Sequence, residues 1–258
     1  MVHPYLRGAR TPRVLAHRGL VTPDAAAAGV VDNSFAAVAA AHAAGVEFVE
    51  SDCHLTADGV VVLVHDDDLS RIAGDPRRVA DVRLHELADL LADRGGLLTL
   101  EQALDAFPDL RFNLDVKADG AEEAVGRLVA PHAERVLLTS FSDERRLAAL
   151  AAAERAGAPL LPATSPGSRT LGRLLAALTV RSRRATDAAL RGLDALQIPE
   201  RHRRLRVLTP RLLDAAHAHD VEVHVWTVND PEDMRRLRRA GVDGLVTDRA
   251  DVALALSA

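Results

Sequence analysis

Cysteine is almost missing from this chain: Cys53 is the only one in 258 residues, so no internal disulfide can form and a four-cysteine zinc site is excluded. Long hydrophobic runs are missing too. Nowhere do 18 apolar residues follow one another, and the opening MVHPYLRGARTPRVLAHRG lacks the apolar stretch of a signal peptide. The expectation is a cytoplasmic protein with no stable membrane anchor. Positive charge is not in excess: 32 basic residues against 37 acidic ones give a formal net charge of −5, which argues against nucleic acid as the main partner. Lysine occurs only at Lys117, tryptophan only at Trp226, and asparagine only at Asn33, Asn113 and Asn229. Each falls in or beside a motif described below, although a coding bias toward Ala and Arg would thin out lysine and asparagine as well.

What is present is a mixed composition, 48% hydrophobic and 27% charged, able to bury a large core. The length suits one α/β barrel, so residues 1–258 are expected to form a single domain. Short β-rich runs at 14–17, 47–55, 111–117, 135–141, 159–164, 195–199, 222–228 and 244–248 alternate with Ala/Leu-rich helical patterns that start at cap residues and end at glycines such as Gly45 and Gly157. Eight strand-helix units predict a (β/α)8 TIM barrel, with a small β-hairpin extension after the second strand. An open doubly wound sheet is the alternative. It calls for a Gly-rich phosphate loop after the first strand, and none is present.

Barrel enzymes build their sites at the C-terminal ends of the strands, where the polar residues of this chain gather. His17 and Arg18 end the first strand; Glu50, Asp52 and His54 lie late in the second; Asp115 and Lys117 end the third. Ser140 ends the fourth, Trp226 lies late in the seventh and Asp248 ends the eighth. Side chains two apart share a strand face, so Glu50 and Asp52 stand about 7 Å apart on one side. Asp58-Gly59 between apolar runs predicts a hairpin; a two-residue loop sets His65 opposite Asp52, whereas a three-residue loop shifts it by one and turns it away. Clustered acids repel one another and require a cation, and hard oxygen ligands favour Mg²⁺ or Ca²⁺ over zinc. Arginine and lysine beside such a metal suit an anionic substrate, most simply a phosphate, while two histidines could divide acid and base duty. The residues alone reach metal-assisted phosphoester cleavage in a barrel.

Residues 165–211 hold eleven arginines against three acids. They are read first as solvated helix faces; the alternative is a surface that attracts anionic substrate or lipid headgroups.

AHRG (16–19), DNSFAAVAAAHAAGVEFVESD (32–52), TADGVVVLVHDDDLSR (56–71), LTLEQAL (98–104), NLDVK (113–117), TSF (139–141) and VWTVNDPEDMRRLRRAGVDGLVTDRADV (225–252) together resemble the glycerophosphodiester phosphodiesterase family. The resemblance runs from about residue 13 to 252. It implies a TIM barrel that hydrolyses small-molecule glycerophosphodiesters to an alcohol and sn-glycerol 3-phosphate with a divalent cation. On that resemblance His17 and His65 would be the acid-base pair, and Arg18 and Lys117 would contact the phosphate. Trp226 would wall the glycerol side, and Glu50, Asp52 and Asp115 would ligate the metal. The family usually carries glutamate at the place of Asp115, and Pro-Glu-Asn-Thr where this chain has Val31-Asp32-Asn33-Ser34. Asp32 is expected to help cap the following helix and Asp248 to cap the last one; Cys53 should be a buried apolar filler. A lysophospholipase D acting on a longer substrate, and a barrel that binds phosphorylated ligands without cleaving them, remain the alternatives.

Overall fold

Strands whose side chains alternate between a barrel axis and a surrounding ring of helices need apolar residues on both faces, and the β-rich runs of this chain supply them. The structure, a computed structural model, describes residues 2–9 and 11–256. Its strands are β1 (Arg13–His17), β2 (Phe48–Leu55), β3 (Val61–Leu63), β4 (Arg111–Val116), β5 (Val136–Thr139), β6 (Ala163–Thr164), β7 (Ala195–Pro199), β8 (Arg201–His202), β9 (Leu205–Arg206), β10 (Glu222–Trp226) and β11 (Gly244–Thr247). Eight of them are parallel neighbours in the order β6-β5-β4-β2-β1-β11-β10-β7. The seam between β6 and β7 has no ladder. Asp194 N donates to Thr164 O at 2.9 Å, and Gln197 N to Ser165 Oγ at 3.0 Å, which joins the edges into a nearly closed (β/α)8 barrel.

The run at 159–164 keeps only its last two residues as strand, because Pro159 and Pro162 have no N–H to give to a ladder. Elsewhere the expected strands are trimmed at their C-terminal ends, where Ser140, Phe141, Thr227 and Val228 leave the sheet. Outward residues such as Val49, Cys53, Leu114, Leu138 and Leu245 pack under the helices in the main core. Cys53 is fully buried there, and burial pushes its thiol pKa well up.

Inward residues Leu15, Phe48, Leu137, Ala163, Ala195 and Val246 form a second cluster in the lumen, closed from below by Tyr5 and Leu6. The ring of Tyr5 meets Phe48 edge-on at 5.3 Å. Two arginines hold this plug: Arg111 donates to Tyr5 O at 3.0 Å and Arg13 to Leu6 O at 2.5 Å. Arg13 also binds both carboxylate oxygens of Glu222, at 2.6 and 2.7 Å.

The hairpin after β2 exists, and its register selects between the two loop lengths left open. Leu55 pairs with Val61 and Cys53 with Leu63, so three residues form the turn and Val64, not His65, stands opposite Asp52. The hairpin opens a larger excursion through residue 97 with its own buried cluster of Val62, Val64, Leu69, Ile72, Val79, Val82, Leu87 and Leu91.

Candidate active site

The C-terminal ends of the strands surround a cavity of about 440 Å³. His17, Arg18, Glu50, Asp52, His65, Asp115, Lys117 and Trp226, the eight residues given site roles on the resemblance, line it, whereas His54 and Asp248 do not. Parallel registry explains the acids: His17 pairs with Glu50, Glu50 with Asn113, and Asp52 with Asp115, so an inward position on one strand meets an inward position on the next.

Asp52 is buried and fully engaged. It takes Lys117 Nζ at 3.0 Å and Asn33 Nδ2 at 3.2 Å, with Arg18 Nε 3.3 Å away. Its neighbours are not engaged. Glu50 Oε2 and Asp115 Oδ1 are buried without a hydrogen-bond partner, and Asn113 Oδ1 is in the same state. Burial, followed by the charges of Asp52 and Asp115, pushes the Glu50 pKa well above its usual range. Burial and Asp52 likewise raise Asp115 to about 7. Acceptor oxygens left bare in a desolvated site cost stability unless a donor or a cation arrives.

The chain delivers these groups through an unusual turn after β1. Arg18 has φ 61° and Asn33 φ 58°, both in the left-handed region, and Asn33 N donates to Arg18 O at 2.8 Å. Gly19, at φ 87°, lies so close to the next helix that a Cβ would sit 2.6 Å from the Ala37 carbonyl carbon; no other residue fits there. Asn33 then accepts from Ser51 Oγ at 2.6 Å and is thereby aimed at Asp52.

Both histidines are braced by carboxylates. His17 Nδ1 stands 2.6 Å from Asp248 Oδ1, and His65 Nδ1 is 2.6 Å from Asp66 Oδ1. An ionised carboxylate only accepts, so each Nδ1 carries a hydrogen and each Nε2 is the nitrogen left free to exchange a proton. The bond from His17 holds Asp248 below the usual carboxylate range. Burial would raise Asp66, but bonds from Arg71 and His65 prevail and lower it. His17 Nε2 lies 3.8 Å from Glu50 Oε2.

Two expectations are corrected. Asp248 does not cap the last helix; it holds His17 and accepts from Asn229 Nδ2 at 2.6 Å. Asp32 does not cap its helix either, since Ser34 does so by accepting from Ala37 N. Asp32 instead ties Arg18 to Arg71, at 3.1 and 3.0 Å, and Arg71 donates to Asp66 at 2.5 Å. Alternating charges therefore run round the mouth from His65 to Lys117. His65 reaches the cavity despite the shifted register because the chain leaves the ladder after Val64, and buried His54 anchors it with Nε2 3.3 Å from the His65 carbonyl. Sequence reasoning missed Asn33, Asp66 and Arg71 as supports. Asp66 directly follows His65, and Asn33 and Arg71 lie within the segments 32–52 and 56–71 already noted.

The opposite wall is apolar: Phe141, Pro166, Leu171, Leu175, Leu205 and Val207. Phe141 crosses the mouth to meet Trp226 edge-on at 6.2 Å.

A barrel mouth with two braced histidines beside paired cations and bare carboxylates has the chemistry of a phosphoric diester hydrolase of the (β/α)8 class, and the comparisons with known proteins agree. Residues 17–252 match the model of the Glycerophosphoryl diester phosphodiesterase family. The chain is 36% identical over 227 residues to a probable glycerophosphodiester phosphodiesterase 2 of Mycobacterium tuberculosis, covering 85% of this chain and 83% of that protein. A lysophospholipase D of Rattus norvegicus is 24% identical over 92% of this chain and 83% of its own length. The crystal structure of a glycerophosphodiester phosphodiesterase from Thermotoga maritima superposes with a TM-score of 0.71 at 25% identity, covering 97% of this chain and all of that one (100%). This chain belongs to the glycerophosphoryl diester phosphodiesterase family.

Proposed function

We propose that the protein hydrolyses glycerophosphodiesters to an alcohol and sn-glycerol 3-phosphate, with His17 and His65 as the acid-base pair. The observation that carries this reading is that both imidazoles line one cavity with their Nδ1 atoms bound to Asp248 and Asp66. Each is held by Nδ1 in an orientation that leaves Nε2 for proton transfer. One histidine enters neutral and takes at Nε2 the proton of an attacking glycerol hydroxyl, while the other enters as imidazolium and gives its Nε2 proton to the leaving alcohol. Water then opens the resulting cyclic phosphate to sn-glycerol 3-phosphate with the two roles reversed. Arg18 and Lys117 supply positive charge to the phosphate oxygens, and Trp226 bounds the glycerol end.

Among the described residues, no three His, Cys, Asp or Glu side chains stand close enough together to form a ready metal cluster. The donor chemistry nonetheless fits a divalent cation. Glu50 Oε2 and Asp115 Oδ1 are bare, buried, hard oxygen donors, with Asp52 beside them. Glu50, Asp52 and Asp115 would hold Mg²⁺ or Ca²⁺, which would add positive charge where the phosphoryl oxygens gain negative charge.

Replacing His17 or His65 by Ala should lower kcat by about 10²- to 10⁴-fold on glycerophosphocholine with the thermal transition unchanged. Near-normal rates in both variants would end this reading. The apolar wall favours a second one, a lysophospholipase D that accommodates a longer chain along Leu171, Leu175 and Leu205. Faster turnover of lysophosphatidylcholine than of glycerophosphocholine would establish it; the reverse order would dismiss it.

A further inference from the structure

Most of the arginine surplus noted in residues 165–211 has no acid to answer it. Of the three acids in that region, Glu200 binds Arg236, Asp187 binds His219, and Asp194 accepts from Thr164 N. The surplus is concentrated at the cavity mouth in the hairpin of β8 and β9, whose sequence is Arg201-His202-Arg203-Arg204-Leu205-Arg206. All six residues are exposed. Among the described residues, no carboxylate lies within ion-pair distance of Arg201, Arg203, Arg204 or Arg206.

The hairpin also has a defined orientation. His202 pairs with Leu205 and Arg201 with Arg206; directly opposed residues point to one side. His202 and Leu205 face the cavity, leaving Arg201 and Arg206 on the outer side and Arg203 and Arg204 at the tip. Leu205 remains 56% exposed, and Phe141 at the same mouth is 62% exposed. A basic tip beside two unburied apolar side chains matches an anionic lipid surface: charge draws the face down, and Phe141 and Leu205 enter the headgroup boundary. The rest of the chain carries the acidic excess behind the net charge of −5, so a negatively charged surface favours approach by a basic face such as this one.

We infer that the β8-β9 hairpin docks the protein reversibly on membranes rich in anionic lipid, with the cavity mouth turned toward the bilayer. The docking itself is independent of the hydrolytic reading; only the use made of it, drawing diester substrate from the lipid surface, rests on that reading.

The test is co-sedimentation of the full chain with vesicles of equimolar phosphatidylglycerol and phosphatidylcholine, and with phosphatidylcholine alone. The expected result is binding to the first only, weakened by salt. In R201Q/R203Q/R204Q the partition coefficient should fall on the order of a hundredfold. Arg206 is left in place because its Nε braces Leu208 O at 3.1 Å. The tip variant R203Q/R204Q should give an intermediate loss, which guards against misfolding as the cause. Turnover of water-soluble glycerophosphocholine should be unchanged in both variants. Absence of vesicle binding by the unaltered protein, or binding indifferent to the substitutions, overturns the inference. Arginine-dependent retention of a single-stranded oligonucleotide without vesicle binding overturns it too. Vesicle binding without any turnover of the soluble diester would sink the hydrolytic reading and leave the docking surface standing.

Discussion

Asp248 lies outside the cavity lining, so on the proposed mechanism it acts through His17. It holds His17 at 2.6 Å and is itself held by Asn229, by the side-chain amide at 2.6 Å and through its own backbone N–H to Asn229 Oδ1 at 2.9 Å. Asp248→Asn keeps the shape but can present an N–H to His17 Nδ1, which favours the wrong tautomer. The expected loss is on the order of a hundredfold in kcat with little change in KM, read from initial rates. A change confined to KM would mean that Asp248 acts on binding, not on the histidine. Asp248 follows a β-rich run and precedes a helix, so capping was a sound local reading. Its true partner lies 231 positions away in sequence, where no local signal reaches.

At the scale of elements, the N-terminal plug and the barrel floor depend on one another. Glu222 on β10 would be raised by burial, but bonds from Arg13 on β1 and from His224 prevail and take its pKa down to about 2. The folded value lies below the usual 4.5, so the stabilisation is full above about pH 4.5 and is lost as pH falls toward 2. Glu222→Gln should therefore cost on the order of 2 kcal/mol at neutral pH, measured as the urea midpoint, with the gap from the unaltered protein narrowing by pH 3. A constant gap at both pH values would show that packing, not charge, is what the substitution removes. The hairpin of β2 and β3 illustrates the opposite lesson. Asp58-Gly59 marked the turn correctly, yet both a two- and a three-residue loop satisfy that signal. Only the packing of Val62 and Val64 into the excursion's own cluster selects between them.

For the whole molecule, a cation held as proposed by the bare oxygens of Glu50 and Asp115 would act on stability as well as on turnover. A cation bound only by the folded chain at a hundredfold excess over its Kd adds about 2.7 kcal/mol, or roughly 5 to 10 °C in the thermal transition for a chain of this size. Mg²⁺ or Ca²⁺ should raise the transition and chelator reverse it, in parallel with turnover. Full turnover in chelator with no shift from either ion would remove the cation from the proposal. Much of this molecule was determined by its sequence alone. The period of two along each strand is local, so the sequence put Glu50 and Asp52 on one face, whereas the β2–β4 registry brought Asp115 beside Asp52. The proline-shortened β6, the braces at Asp248 and Asp66, the path that brings His65 to the mouth and the apolar wall facing it were decided only by the tertiary structure. These depend on how loops of distant origin meet after the barrel closes, and pairwise geometry of that kind leaves no periodic trace in the chain.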